Sequence, residues 1–298
     1  MKYISFIRSF LIACVVTAAS LHVRAAAILW NKLGSASEIL NSAYGPNLSF
    51  YSGGSFPDGV GNPAYVPGVF GNALTIGSGS YSSEEREHTV VWNNLNNYLN
   101  PDRGTISVWF KQNASPVGFS YGVYRIFDGS YGLGAGIGLT SDAANGMLNF
   151  GLDFGGTGSG VSYNINSYNG TWIHLGAIWD RAGIGGSGDK IRLYVNGNVA
   201  ASSTVGSWGT TVGSQADIGG GNDANIAGKF AIDNLQVFDV AMTDFSGRFT
   251  EAIPEPSVAA LAVAGLLVVT VRRSTRKSAR PTQAAHDGHD QDESDEGQ

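Results

Sequence analysis

The sequence predicts an all-β domain, an antiparallel two-sheet jelly-roll sandwich, followed by a short C-terminal transmembrane helix. Three observations carry this. Glycine is abundant, 42 in 298 residues against 9 prolines, and no stretch combines a 3.6-residue apolar period with helix caps. Short alternating runs recur instead through the middle of the chain, and Asn196-Gly197 sits between two of them; Asn-Gly favours the two-residue turn in which both central residues need positive φ. Near the end, Val258 to Val271 is 14 residues without a charge, followed at once by Arg272 and Arg273.

The chain opens with Lys2 and Arg8, then an apolar run from Phe10 to Ala19 broken only by Thr17, then His22-Val23-Arg24-Ala25-Ala26-Ala27. This order predicts a secretory signal peptide over 1–27, with cleavage after Ala25 or Ala27. A permanent anchor would need about 20 apolar residues. Leu11-Ile12-Ala13-Cys14 has the look of a lipobox, but the apolar run continues through Val15 and Val16 where a lipobox should close it. Cys14 is the only cysteine, so cleavage leaves no disulfide, thiol nucleophile or thiolate metal site.

Residues 28–250 are long enough for one domain held by its core alone. Between Ile28 and Ser257 there are 18 acidic and 10 basic side chains, a net of −8, which argues against a nucleic-acid partner because a phosphate backbone calls for a clustered positive surface. Period-two alternation sorts the strand faces. On 104–111 it puts Ile106, Val108 and Phe110 inward, with Thr105, Ser107, Trp109 and Lys111 outward. On 171–180 Ile173, Leu175 and Trp179 point in, Trp172 and His174 out; on 190–195 Ile191, Leu193 and Val195 point in, Arg192 and Tyr194 out. On 230–238 the same count groups Asp233 with Ala231, Leu235 and Val237 on the core face.

Five short patterns in order carry a family resemblance: Phe70-Gly-Asn-Ala-Leu74, Gly104-Thr-Ile-Ser-Val-Trp-Phe110, Trp172-Ile-His-Leu with Trp179-Asp180, Leu193-Tyr-Val-Asn-Gly197, and Ile232-Asp-Asn-Leu-Gln-Val-Phe238 with Ala241. Over Ile28 to Phe249 the chain resembles the laminin-G-like, concanavalin A-like jelly-roll superfamily. The resemblance implies two packed antiparallel sheets, one of them concave, and a superfamily that contains lectins, hydrolases, adhesive modules and structural domains. If the three strands share the concave sheet, Trp109, His174, Arg192 and Tyr194 line it as a ligand-binding face suited to an exopolysaccharide or surface glycan. The alternative is that loops cover this face and Trp109 belongs to the core. The resemblance also implies a structural Ca²⁺ at Asp233, since a buried carboxylate needs N–H donors or a cation; a hydrogen-bonded structural aspartate is the other reading.

The sequence predicts no enzyme. Hydrolases of this fold carry paired acids as Glu-x-Asp-x-x-Glu, which is absent, and Glu85 and Glu87 in the polar stretch Ser83–His88 read as a solvated face. Gly155–Gly160 and Gly183–Gly188 lack the Lys-Ser/Thr and the following helix of a phosphate cradle, and read as loops.

Pro254-Glu255-Pro256, the apolar segment 258–271 and then Arg272-Arg273 resemble, over 251–273, the PEP-CTERM sorting signal of Gram-negative bacteria. The resemblance implies an exosortase-type membrane protease as partner, an inner-membrane intermediate held by the C-terminal segment with the basic cluster in the cytoplasm, and delivery to the cell surface or extracellular matrix. The chain departs from that pattern by continuing from Ser274 to Gln298, a basic-then-acidic tail predicted to be disordered. His286 and His289 among its aspartates read as solvated polar residues. The expected function is a non-catalytic adhesive or structural surface protein, with a lectin-like module as the alternative and a glycoside hydrolase as a distant one.

Overall fold

The computed structural model describes residues 27–50, 64–76, 90–112, 123–129, 136–142, 145–220 and 230–251, all within one compact unit, His22–Pro254. The strands are β1 (Ala27–Asn31), β2 (Ser49–Phe50), β3 (Ala64–Pro67), β4 (Asn72–Ile76), β5 (Val90–Asn93), β6 (Arg103–Gln112), β7 (Val123–Asp128), β8 (Ile137–Asp142), β9 (Met147–Leu152), β10 (Ser159–Asn164), β11 (Ile173–Asp180), β12 (Ile191–Val195), β13 (Asn198–Ser203), β14 (Gln215–Ile218) and β15 (Phe230–Phe238), with one short helix, α1 (Ala36–Leu40). They form two antiparallel sheets. The first runs β13-β12-β11-β6-β15-β4-β3, with β1 also paired to β15; the second runs β10-β9-β8-β7-β14-β5-β2.

The inner faces carry the core. Ile106, Val108 and Phe110 of β6 and Leu175 and Trp179 of β11 meet Phe127, Leu139 and Phe150 of the second sheet in one apolar cluster, so the inward assignments made from alternation on β6, β11 and β12 hold. Asn196 and Gly197 have φ of 52° and 82° and close the hairpin between β12 and β13, as the Asn-Gly signal predicts. Gly183–Gly188 is a loop containing a short 3₁₀ turn, but Gly155–Gly160 is a loop only in its first part: Ser159 and Gly160 already pair with β9.

The outer faces of the two sheets differ. β8 and β9 alternate strictly between buried and half-buried residues, and β10 beyond Ser159 between exposed and half-buried ones, the signature of a sheet with one face toward solvent. β6, β11 and β15 are buried almost continuously. Their outer side is covered by the segment that follows β15, residues 239–251, where Phe245, Ala241 and Met242 pack on Ile178 and Tyr194 in a second, smaller apolar cluster.

One face assignment is corrected. Asp233 is not on the core side. Phe230 and Ile232 point into the core before it, Leu235 and Val237 after it, because Asn234 takes a left-handed conformation (φ 55°) and the register shifts between Asp233 and Gln236. Such a bulge inserts a residue and inverts the alternation beyond it. Asp233 pairs with Trp109 and shares its outer face.

Candidate functional site

The structure brings the four residues nominated from alternation onto one surface. β12, β11 and β6 are adjacent, His174 is the cross-strand partner of Trp109, and their rings lie 5.4 Å apart. Tyr194 and Arg192 stand on the neighbouring strand. The surface is occupied, however, by the chain itself. Phe245 inserts its ring against both His174 and Tyr194, 5.1 Å from each, and Phe249 lies 5.2 Å from Trp109. Trp109, His174 and Tyr194 are only 4%, 2% and 4% exposed. This matches the alternative in which the face is covered and Trp109 is buried. Arg192 sits at the margin, bonded through Nε to Asp189 (2.8 Å) and through Nη2 to Ser187 Oγ (2.8 Å).

The buried polar atoms beneath the segment explain its electrostatics. His174 Nε2 pairs with Ser107 Oγ at 2.9 Å, while Nδ1 is buried without a partner among the described residues. Burial, and secondarily the Arg248 guanidinium, push the imidazole down to about 3, so it is neutral under ordinary conditions.

Asp233 is fully buried. Its Oδ2 accepts the backbone N–H groups of Val69 (2.7 Å) and Phe70 (2.8 Å) and so organises the turn between β3 and β4. Burial pushes its carboxyl up to about 6, against the pull of those two donors. Oδ1 has no hydrogen-bond partner among the described residues. Calcium takes six to eight oxygens, and among the described residues no group of three or more His, Cys, Asp or Glu stands together. The two backbone N–H donors on Oδ2 are the arrangement of the hydrogen-bonded structural aspartate, the other of the two readings.

The open surface is on the other sheet, and alternation did not single it out. Gly138, Gly151 and Gly160 are cross-strand partners on β8, β9 and β10. Each lies between inward residues, so all three face outward, and the row continues into Asp128 and then Asp217. Gly138, Gly151, Gly160 and Asp128, together with Gly136, Asp153 and Ser159, line a trough of about 390 Å³, and Asp217 lies beyond it. Thr140, Asn149 and Ser162 form the adjacent outward row, with Ser162 Oγ donating to Asn149 Oδ1 at 2.6 Å. Asp128 is ion-paired with Arg125, and beyond it Asp217 accepts Gln215 Nε2 at 2.7 Å. Among the described residues no aromatic side chain lines this trough. The signal available in the sequence was a glycine recurring at the outward position of three apolar-patterned strands (Ile137-Gly-Leu139, Phe150-Gly-Leu152, Ser159-Gly-Val161); which of them align is decided by register.

The sorting-signal residues Pro254, Glu255, Pro256, Arg272 and Arg273, the segment 258–271, the signal peptide up to Ala26 and Glu85 and Glu87 all lie outside the described residues. No helix among the described residues is long and apolar enough to cross a membrane.

A two-sheet antiparallel sandwich with one polar outer face is the architecture of a jelly-roll module. The family model described as the concanavalin A-like lectin/glucanases superfamily matches residues 84–245, more than half of the chain, and the chain belongs to that superfamily. No curated protein sequence matches it. Among solved structures, it is similar to the botulinum neurotoxin serotype G binding domain (TM-score 0.55, 13% identity, 82% of this chain and 51% of that one). It is also similar to the serotype D binding domain (0.52, 16%, 75% and 51%) and to the binding domain of Paraclostridial Mosquitocidal Protein 1 (0.53, 15%, 72% and 49%). The match spans about half of each of those chains, and at such identity it establishes the fold.

Proposed function

We propose that this chain is an exported, non-catalytic surface or extracellular-matrix protein whose jelly roll adheres to a neutral polysaccharide laid along the glycine-floored trough of the second sheet. The observation that carries this reading is the glycine row. Gly138 and Gly151 have no positive φ; a Cβ at Gly138 would meet nothing within 4 Å, and one at Gly151 only a carbonyl at 3.9 Å. Neither backbone conformation nor packing demands glycine there, and glycine within a strand is otherwise unfavourable. A strand that keeps it leaves room for a ligand to approach the backbone closely. The carboxylates and the neighbouring row of Thr140, Asn149 and Ser162 supply hydrogen bonds to hydroxyl groups. Asp128 and Asp153 disfavour an acidic chain through like-charge repulsion. The binding domains among the similar folds support a binding role in general.

Export rests on the signal peptide and sorting on the PEP-CTERM resemblance, with an exosortase-type protease as partner. The buried first strand supports cleavage after Ala25: Ala27 pairs with Phe238 and is 7% exposed, so cleavage after Ala27 would remove a rung of the sheet.

The test is retention of the purified full chain in gels containing neutral or uronic-acid polysaccharides, beside Gly138→Val. Wild type is retarded by the neutral polymer and the variant is not, although it melts at the same temperature or higher. Equal migration of both proteins in every gel refutes the reading.

A hydrolase is the second reading, favoured by one observation: Asp128 and Asp217 are cross-strand partners, and opposed residues bring carboxylates to roughly the 5 Å separation of a retaining pair. Both already have partners within the fold, Arg125 and Gln215, so binding is preferred. Release of reducing ends that disappears in Asp217→Asn would reverse that preference.

A further inference from the structure

We propose that residues 239–251 form an acid-released latch on the outer face of the first sheet, docked at neutral pH and detached at its distal end when His174 takes up a proton.

The latch has a fixed end and a releasable end. At the fixed end Thr105 Oγ1 donates to the Val240 carbonyl (2.7 Å) and accepts from Met242 N–H (2.9 Å). These bonds involve no ionisable group. At the releasable end Phe245 fills the hollow over Gly176, where a Cβ would lie 2.5 Å from its ring, and Trp109 Nε1–H donates to the Arg248 carbonyl (3.2 Å). The terminal contact is the Lys32–Glu251 ion pair (2.9 Å), both partners about one-third exposed, which contributes little by itself.

His174 is the group that this end encloses. It is capped by Phe245 and Trp109, bonded at Nε2 to Ser107 and unpartnered at Nδ1. The charged and titratable groups around it are few. From the latch comes Arg248, whose charge opposes a second cation and whose own Nε is buried without a partner. From β12 comes Tyr194, with the Arg192–Asp189 pair beyond it; on β15 Asp233 lies on the far side of Trp109; and β6 presents only the neutral Ser107 and Trp109 toward the ring. Among the described residues no carboxylate contacts the imidazole to receive a protonated form. A proton on His174 therefore requires water, and water reaches the ring only if Phe245 leaves.

The sign follows from linkage. The docked imidazole holds its proton far more weakly (about 3) than an exposed one. The detached state thus binds more protons, and docking is at full strength above the exposed value and weakens as pH falls below it. With an exposed value near 6.5, docking weakens by about 30-fold between pH 7.5 and pH 5. Asp233 titrates in the same range with the opposite effect, because protonation relieves its burial, so the sheet beneath is not loosened by the same change. Release exposes Trp109, His174 and Tyr194 as an aromatic face and frees the residues that lead into Pro254.

The measurement is amide hydrogen exchange of the full chain at pH 7.5 and pH 5, expressed as protection relative to the free peptide rate. Protection across 243–251 falls about 30-fold, while that of Ile173–Asp180 is unchanged. His174→Gln keeps a hydrogen-bonding partner for Ser107 and cannot be protonated; its 243–251 protection stays the same at both pH values. Phe245→Ala is unprotected across 243–251 at either pH. The proposal is overturned if wild type shows no fall, if 173–180 loses protection together with 243–251, if the fall persists in His174→Gln, or if Phe245→Ala is as protected as wild type.

Discussion

Phe245 rests its ring on Gly176, filling the space a side chain would occupy: a Cβ there would lie 2.5 Å from Cζ and 2.8 Å from Cε2. The glycine opens the outer face of a central strand, and an aromatic residue from far along the chain fills it. Gly176→Ala displaces the ring and costs about 1–3 kcal/mol, as overpacking does. Urea denaturation of the variant and of Phe245→Ala checks this; the double variant should lose less than the two single losses added, because both break the same contact.

The β12–β13 turn is constrained twice. Gly197 has a φ of 82°, which a β-branched residue resists, and a Cβ there would approach Arg248 Nη1 to 2.8 Å. Gly197→Val lowers the melting temperature, and Gly197→Asn, which tolerates left-handed backbone, lowers it less.

Asp233 gives a pH dependence of defined sign. Its carboxyl is raised to about 6 in the fold and returns toward 3.8 when unfolded, so its contribution is fully present below the unfolded value and is lost as pH rises through about 6. The stability of wild type relative to Asp233→Asn should therefore decrease from pH 4 to pH 7. Asp233→Ala leaves the Val69 and Phe70 N–H groups without their acceptor and costs about 1–3 kcal/mol at every pH.

The three glycines of the second sheet respond differently to the same substitution. Gly138→Val and Gly151→Val enter open space and leave the melting temperature unchanged or raised, because a β-branched residue suits a strand. Gly160→Val meets the Phe150 carbonyl at 2.8 Å and the Gly151 Cα at 3.3 Å, and lowers it. A series of three thermal scans is sufficient.

The intact mass of the exported protein fixes both processing steps. The expected product begins at Ala26 and lacks Arg272 to Gln298. A product carrying a lipid on Cys14, or retaining the basic cluster in the inner membrane, contradicts the export and sorting readings respectively.

Local chemistry determined much of this protein before any long-range contact is considered. The inward sets Ile106, Val108 and Phe110, and Ile191, Leu193 and Val195, follow from a side-chain period of two, and Asn196-Gly197 closes its hairpin through the backbone preferences of two adjacent residues. Three things were decided only by the tertiary structure. Asn234 inverts the alternation on β15, and a single residue's φ leaves no periodic trace in the sequence, so Asp233 could not be placed by counting. Gly138, Gly151 and Gly160 become one row only through the register of three strands. Whether Trp109, His174 and Tyr194 face water or protein depends on Phe245, which lies 69 residues beyond Gly176 in a segment without a repeating pattern. Alternation says which side of a sheet a residue is on. What covers that side is set by packing between segments distant in the chain, which no local pattern encodes.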